Sequence, residues 1–172
     1  MDASTVWPLH PSVPGIYRCG GWDLNDGVGH SGTPLQTAAS RDHVPLAKWM
    51  LDHLADSNYF IPNILYTTLV TACKSSSLPM VELLLAHGAV VQNSGAMQEA
   101  AASGRMDVLT LLLERGADIS EVPTNRWIER HGPLLSPLQA ATENNQSDAV
   151  AFLLSRGADS SGRKVEDVQY ET

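Results

Sequence analysis

Four side chains near the start of the chain are of types that do chemistry: His10, Cys19, Asp23 and His30. Histidine and aspartate serve as general acid or base, and a cysteine thiolate serves as nucleophile. Their spacing matches neither a paired Cys-x-x-Cys metal motif nor a nucleophile elbow. Gly27-Val28-Gly29 is too short for a phosphate-binding loop. A second group stands at Arg126, Trp127, Arg130 and His131. Tryptophan and arginine are among the commonest anchors of protein interfaces. The acid–base candidates are therefore His10, Asp23, His30 and His131. No motif calls for a metal ion or a cofactor.

The elements that must position these groups announce themselves by repetition. An apolar run ending in a turn close to Gly-Ala-Asp occurs four times: Trp49-Met50-Leu51 to Leu54-Ala55-Asp56, Leu83-Leu84-Leu85 to Gly88-Ala89-Val90, Leu111-Leu112-Leu113 to Gly116-Ala117-Asp118, and Phe152-Leu153-Leu154 to Gly157-Ala158-Asp159. In each copy a helix start lies 22 residues before the alanine: Thr33-Pro34-Leu35, Thr67-Thr68-Leu69, Gly95-Ala96-Met97 and Ser136-Pro137-Leu138. A constant internal phase is the mark of a repeat protein. Stacked repeats offer extended surfaces more often than enclosed pockets.

Each copy predicts a turn, an inner helix, an outer helix and a loop. Thr33 and Ser136 are good N-caps, and Pro34 and Pro137 then occupy the first helical position, where a missing N–H costs nothing. Pro45 and Pro79 open two outer helices, while Asp107 and Asp148 place negative charge at the start of the other two. Val81, Leu84 and Leu85 form a one-sided apolar stripe. Ala38, Ala72, Ala100 and Ala141 share one phase position, where small side chains let helices approach. Gly88, Gly116 and Gly157 suit a left-handed helix end. Leu54 holds that place in the first copy, which predicts a different ending there. His53 and His87 fall in the last turn of outer helices, where a cation is favourable.

Thr33-Pro34-Leu35-Gln36-Thr37-Ala38-Ala39 and Ser136-Pro137-Leu138-Gln139-Ala140-Ala141 resemble the opening motif of the ankyrin repeat, with Gln36 and Gln139 at the usual histidine. The resemblance covers about residues 31–160. It implies an all-α solenoid of four helix–turn–helix repeats, at about 31–64, 65–92, 93–132 and 134–160. Residues 1–30 form an irregular N-terminal cap or lead-in and 161–172 a polar tail. The uneven repeat lengths and alanine-rich inner helices are similar to the divergent ankyrin proteins of filamentous fungi. By the same resemblance His43 is structural, and Ser40, Arg41, Lys74, Ser75, Ala102, Ser103, Glu143 and Asn144 face the groove.

The anchor alanines are unevenly spaced: 34 residues from Ala55 to Ala89, 28 from Ala89 to Ala117, and 41 from Ala117 to Ala158. The family period is about 33. The second link is short, so Val91-Gln92-Asn93-Ser94 predicts a tight turn. The third is long and carries the Arg126–His131 group. Insertions in such arrays map to loops on one face, often the binding face. The first link brings Tyr59, Phe60 and Tyr66. With the long loop, these aromatics would leave a notch over the third repeat.

Formal charge is −8. Without clustered Lys or Arg, that balance argues against binding nucleic acid or an anionic membrane. No stretch approaches the roughly 18 apolar residues of a membrane span. No Lys or Arg precedes Arg18, unlike a signal peptide. Cys19 and Cys73 make no disulfide framework, and Cys73 aligns with Ala39 as a small core residue; an intracellular, reducing compartment is expected.

Two functions follow. One is a scaffold that binds a protein partner through the groove and loops, using Arg41, Tyr59, Phe60, Tyr66, Lys74, Arg126, Trp127, Arg130, His131, Glu143 and Asn144. The other is a cofactor-independent enzyme of cyclase or isomerase type, or a small-molecule binder, built on the same stack. Residues 1–30 could cap the stack with Trp7, Tyr17 and Trp22, lead into it without order, or close a pocket over the groove.

Overall fold

The computed structural model describes residues 18–19, 22–25, 32–59, 66–123 and 135–159. Among them are eight helices in four pairs: α1 (Pro34–Ser40) with α2 (Val44–Asp52), α3 (Thr68–Ser75) with α4 (Leu78–Ala86), α5 (Ala96–Ala102) with α6 (Met106–Glu114), and α7 (Pro137–Glu143) with α8 (Ser147–Ser155). The inner helices α1, α3, α5 and α7 pack on one another in chain order, and the outer helices do the same. This is the all-α solenoid expected from the repeated phrase.

Local chemistry sets the helix starts. Thr33 Oγ1 accepts from Gln36 N–H at 3.0 Å and Thr67 Oγ1 from Val70 N–H at 3.4 Å. Ser136 and Gln139 form a reciprocal capping box. His43 caps α2, its Nδ1 accepting from Leu46 N–H at 3.2 Å. In the third repeat Gly95 replaces the hydroxyl cap and takes a φ of 85°. The short link before it is a tight turn, with Ser94 N–H bonded to Val91 O at 3.3 Å.

The core runs along the seam between the layers. Ala38, Ala72, Ala100 and Ala141 are all buried, as are Leu35, Leu69 and Met97 at another shared phase. Cys73 is fully enclosed, and burial pushes its thiol up to about 12. It stays protonated at neutral pH and acts as a small apolar side chain.

The ending of α2 differs from expectation. Leu54 takes a φ of 70°, the same left-handed conformation as Gly88 at 82°. Ala55 N–H bonds Met50 O at 2.9 Å just as Ala89 N–H bonds Leu84 O at 3.0 Å. The first helix pair therefore ends like the others, with strain accepted at Leu54. The cause is the packing of Ala55, buried like Ala89 and Ala158, which requires the same chain reversal. A Cβ in this conformation costs about 1–2 kcal/mol, against about 0.5–1 kcal/mol for the extra backbone entropy of glycine. Leu54→Gly should thus raise stability in urea by about 0.5–1 kcal/mol. A loss of stability would show that the half-exposed leucine side chain contributes more than its strain.

A second irregularity lies between α3 and α4. The inner-to-outer turns of the other repeats pass through Asp42, Gly104 and Asn145, with φ of 54°, 66° and 57°. The equivalent residue Ser76 is extended instead, with φ −90° and ψ 164°. The backbone polar groups released by that change are taken up by neighbouring repeats. Asp42 Oδ1 accepts from Ser77 N–H at 2.9 Å and from Ser77 Oγ–H at 2.8 Å. Arg105 Nη1 donates to Ser76 O at 2.7 Å, and Ser76 Oγ donates to Ala39 O at 2.7 Å.

Ahead of α1 the described residues include a short strand pair. β1 (Arg18–Cys19) pairs antiparallel with β2 (Trp22–Asp23). Asp23 Oδ1 then accepts from Asn25 N–H at 2.9 Å. The same bond recurs at Asp56 with Asn58, 2.8 Å, and at Asp118 with Ser120, 2.9 Å. Each such turn also reaches forward to the next repeat. Asn25 Oδ1 accepts from Asp56 N–H at 2.7 Å, Asn58 Oδ1 from Val90 N–H at 2.8 Å, and Ser120 Oγ from Asp159 N–H at 3.2 Å. Residues 23–25 are thus the closing turn of a partial repeat ahead of the first, with Leu24 packed on the core.

Candidate functional site

The inner layer carries a cluster that joins the second and third repeats. Gln36 Nε2 donates to Tyr66 O at 2.6 Å and to Thr71 Oγ1 at 3.1 Å. The glutamine at the family's histidine position is therefore a clasp between repeats, holding the backbone on which the Tyr66 ring is mounted. Gln98, in the same phase, donates from Nε2 to Glu121 O across the next junction. Val70 holds this phase in the second repeat, and Gln139 spends its Oε1 on the Ser136 N–H at 2.9 Å.

Lys74, in the last turn of α3, places its Nζ 5.8 Å from the centroid of the Tyr66 ring and 3.2 Å from Glu99 Oε1 on α5. Tyr66 is 43% exposed. The lysine head is open to water and Glu99 is mostly sheltered. The ring face, the cation and the carboxylate together offer an apolar plate rimmed by two opposite charges. Such a surface can stack an aliphatic or aromatic side chain and accept hydrogen bonds beside it. An exposed pair of this kind adds little to stability.

The other expected contact residues are placed as follows. Arg41 is exposed at the end of α1, and Glu143 and Asn144 are exposed at the end of α7. Asn144 Nδ2 is tied to Ala140 O at 2.9 Å. Tyr59 is 40% exposed in the first link. Phe60, Arg126, Trp127, Arg130 and His131 lie outside the described residues, as do His10 and His30. The notch over the third repeat depends on those segments and lies outside them too. Asp23, an acid–base candidate, is engaged in its own turn through Asn25. No group of three metal-ligating side chains occurs among the described residues.

The remaining histidines serve the backbone. His53 Nδ1 lies 2.7 Å from Trp49 O and His87 Nδ1 lies 2.9 Å from Leu83 O, each at the end of its helix. Arg115 and Arg156 take the same C-cap position in the later repeats. A residue of basic type thus occupies the C-cap of every outer helix among the described residues. His87 Nε2 also reaches Asp52 Oδ1 at 3.3 Å. Asp52, held by Lys48 and His87, has its carboxyl below the usual range.

Sequence reading passed over Glu99 and the clasp role of Gln36. The signal for Glu99 was its place as the one acid in the alanine-rich α5, in a repeat entered by a short link. Gln36 was noted only as a departure from a motif.

Short helix pairs stacked in register, tied repeat to repeat by side chains, and with polar groups along the inner layer define a repeat-type binding scaffold. The chain belongs to the ankyrin-repeat family: the family model described as "Ankyrin repeats (3 copies)" matches residues 15–92 and 62–123, together more than half of its length. That match opens ahead of α1, in keeping with the closing turn at Asp23–Asn25. Among solved structures, the human ASB11 ankyrin repeat domain is similar, with a TM-score of 0.67 and 28% identity over 81% of this chain. The alignment covers 61% of that structure, so this chain spans less than two thirds of it. No curated protein matches. Ankyrin repeats are generally protein-binding modules. No helix of the described residues is long and apolar enough to cross a membrane.

Proposed function

We propose that this chain is an intracellular interaction module that binds a protein partner across its inner-helix face, centred on Tyr66, Lys74 and Glu99. The observation that carries the proposal is the mounting of Tyr66. Its backbone is clasped by Gln36, while the residue is left 43% exposed, with the Lys74 head 5.8 Å from its ring centroid. Half-exposed aromatic rings on a rigid mount bind at low entropic cost. In this reading the exposed Arg41 and Tyr59 add to the contact, and Trp127 is a second anchor by its residue type. The acidic balance favours a partner with basic residues around an apolar side chain.

The test is affinity capture with three purified forms: the natural chain, Tyr66→Ala with Lys74→Glu, and the outer-face control Lys48→Glu. The double variant should lose its captured partner by at least about tenfold, the effect of one hot-spot residue. The control should retain it, and both should unfold in urea like the natural chain. Equal capture by all three would place the contact elsewhere.

A further inference from the structure

The four inner helices with their C-caps carry four charged side chains, one apiece: Arg41 after α1, Lys74 on α3, Glu99 on α5 and Glu143 on α7. Both cations thus fall on the first two repeats and both carboxylates on the last two. Lys74 and Glu99 meet at 3.2 Å where the two halves join, with 59% of the lysine side chain and 17% of the glutamate side chain exposed. Arg41 and Glu143 stand exposed at the two ends of the row. Between Lys74 and Glu143 the third repeat offers only the half-buried Ala102 and Ser103 at the same phases. Other polar groups along these helices are engaged locally. Ser40 Oγ donates to Thr37 O at 2.9 Å, and Thr142 Oγ1 donates to Leu138 O at 2.8 Å. At the turns, Asp42 is engaged by Ser77, and Arg105 by Ser76 O and Asp107.

We propose that the partner presents an extended segment whose charges mirror this order: acidic residues against Arg41 and Lys74, an apolar side chain over Ala102 and Ser103, and basic residues against Glu143. The inference rests on the binding reading above and adds the partner's chemistry to it. Packed helices lie about 8–10 Å apart, which separates Lys74 from Glu143 by about 16–20 Å across two spacings. Extended chain rises about 3.3 Å per residue, so the acidic and basic residues stand about five or six positions apart in the partner. A helical segment would need about twice that number. At physiological ionic strength charges are screened beyond about 8 Å, so each half of the face reads its own end of the segment. The net charge of −8 favours a basic partner whichever way it lies. The order of the four charges fixes the orientation, because reversal would set like charges against each other on both halves.

The probe is an end-capped peptide of two aspartates, four spacer residues centred on leucine, and two lysines, with a nitroxide at its aspartate end. Its control has the same composition with the charges alternating. In an NMR titration of the full chain, the charge-separated peptide should bind about tenfold more tightly than the alternating one. The nitroxide should broaden the amides of Ser40 and Ser75 and spare that of Asn144. In full chain carrying Lys74→Glu with Glu143→Lys, which leaves the net charge unchanged, the broadening should move to Asn144. Equal affinity of the two peptides, or broadening at the same end in both proteins, overturns the charge order. Tyr66→Ala separates that failure from failure of the binding reading. If it weakens both peptides alike and neither shows a preferred end, the site stands and only its polarity is lost. Absence of binding up to millimolar peptide overturns the proposed segment, while partner capture still judges the site itself.

Discussion

Leu84→Ala should cost about 3 kcal/mol, within the usual range of about 2–5 kcal/mol for a buried leucine. Leu84 is fully enclosed on α4, in the middle of the outer layer, with Leu112 and Leu153 buried at the same phase. Its removal withdraws apolar surface from water-free contact and leaves a cavity that short, interlocked helices cannot collapse to fill. The position magnifies the effect. A solenoid is stabilised by contacts between adjacent repeats, and the second repeat shares a junction with both the first and the third. Urea unfolding should show a lower midpoint and a broadened transition as the first repeat detaches from the rest. The comparison variant is Leu154→Ala on α8, which is 45% exposed. It should cost under about 1 kcal/mol. Similar losses at the two sites would mean that the layers do not pack as described.

Arg105→Ala should cost about 2 kcal/mol, because it strips the hydrogen bond from a sheltered backbone carbonyl, a penalty of about 1–3 kcal/mol. The acceptor is Ser76 O in the one inner-to-outer turn that lacks the left-handed residue of the others. The same guanidinium grips Asp107 with two bonds, Nε to Oδ1 at 3.0 Å and Nη2 to Oδ2 at 2.7 Å. Arg105→Lys should recover only part of the loss, since an ammonium cannot span both partners with a planar fork. A calorimetric Tm for the natural chain and both variants checks the order.

The pair also sets a pH dependence. The Arg105 guanidinium holds the Asp107 carboxyl below its ordinary 3.8, and the guanidinium is itself raised by that partner. A depressed carboxyl contributes stability above its unfolded pKa and loses it as pH falls through the folded value. The gap between natural chain and Arg105→Ala should therefore stay constant at neutral pH and narrow below about pH 4. A gap that widened on acidification would reverse the assignment.

Much of this fold was legible in one dimension. The repeated leucine phrase, the hydroxyl caps at Thr33 and Ser136, the proline openings and the glycine endings are local signals. Each acts within a few residues through backbone geometry, so spacing alone revealed the stack, its four pairs and the buried alanine column. The tight turn at Val91–Ser94 followed from a count of residues. The closing turn at Asp23–Asn25 was legible in principle, as Asp-x-Asn in phase with Asp56-Ser57-Asn58, but the glycine-rich residues around it hid the phase.

What only tertiary structure decided is which side chains meet across repeats. Leu54 keeps a left-handed conformation that its own type disfavours, because the burial of Ala55 outweighs the strain. Gln36 reads locally as a substitution in a motif, yet it acts on a carbonyl thirty residues away. Tyr66, Lys74 and Glu99 come from two repeats and meet because α3 and α5 pack side by side. Local preferences build each helix pair, whereas contacts between pairs depend on stacking register and link length. No single stretch of sequence carries those.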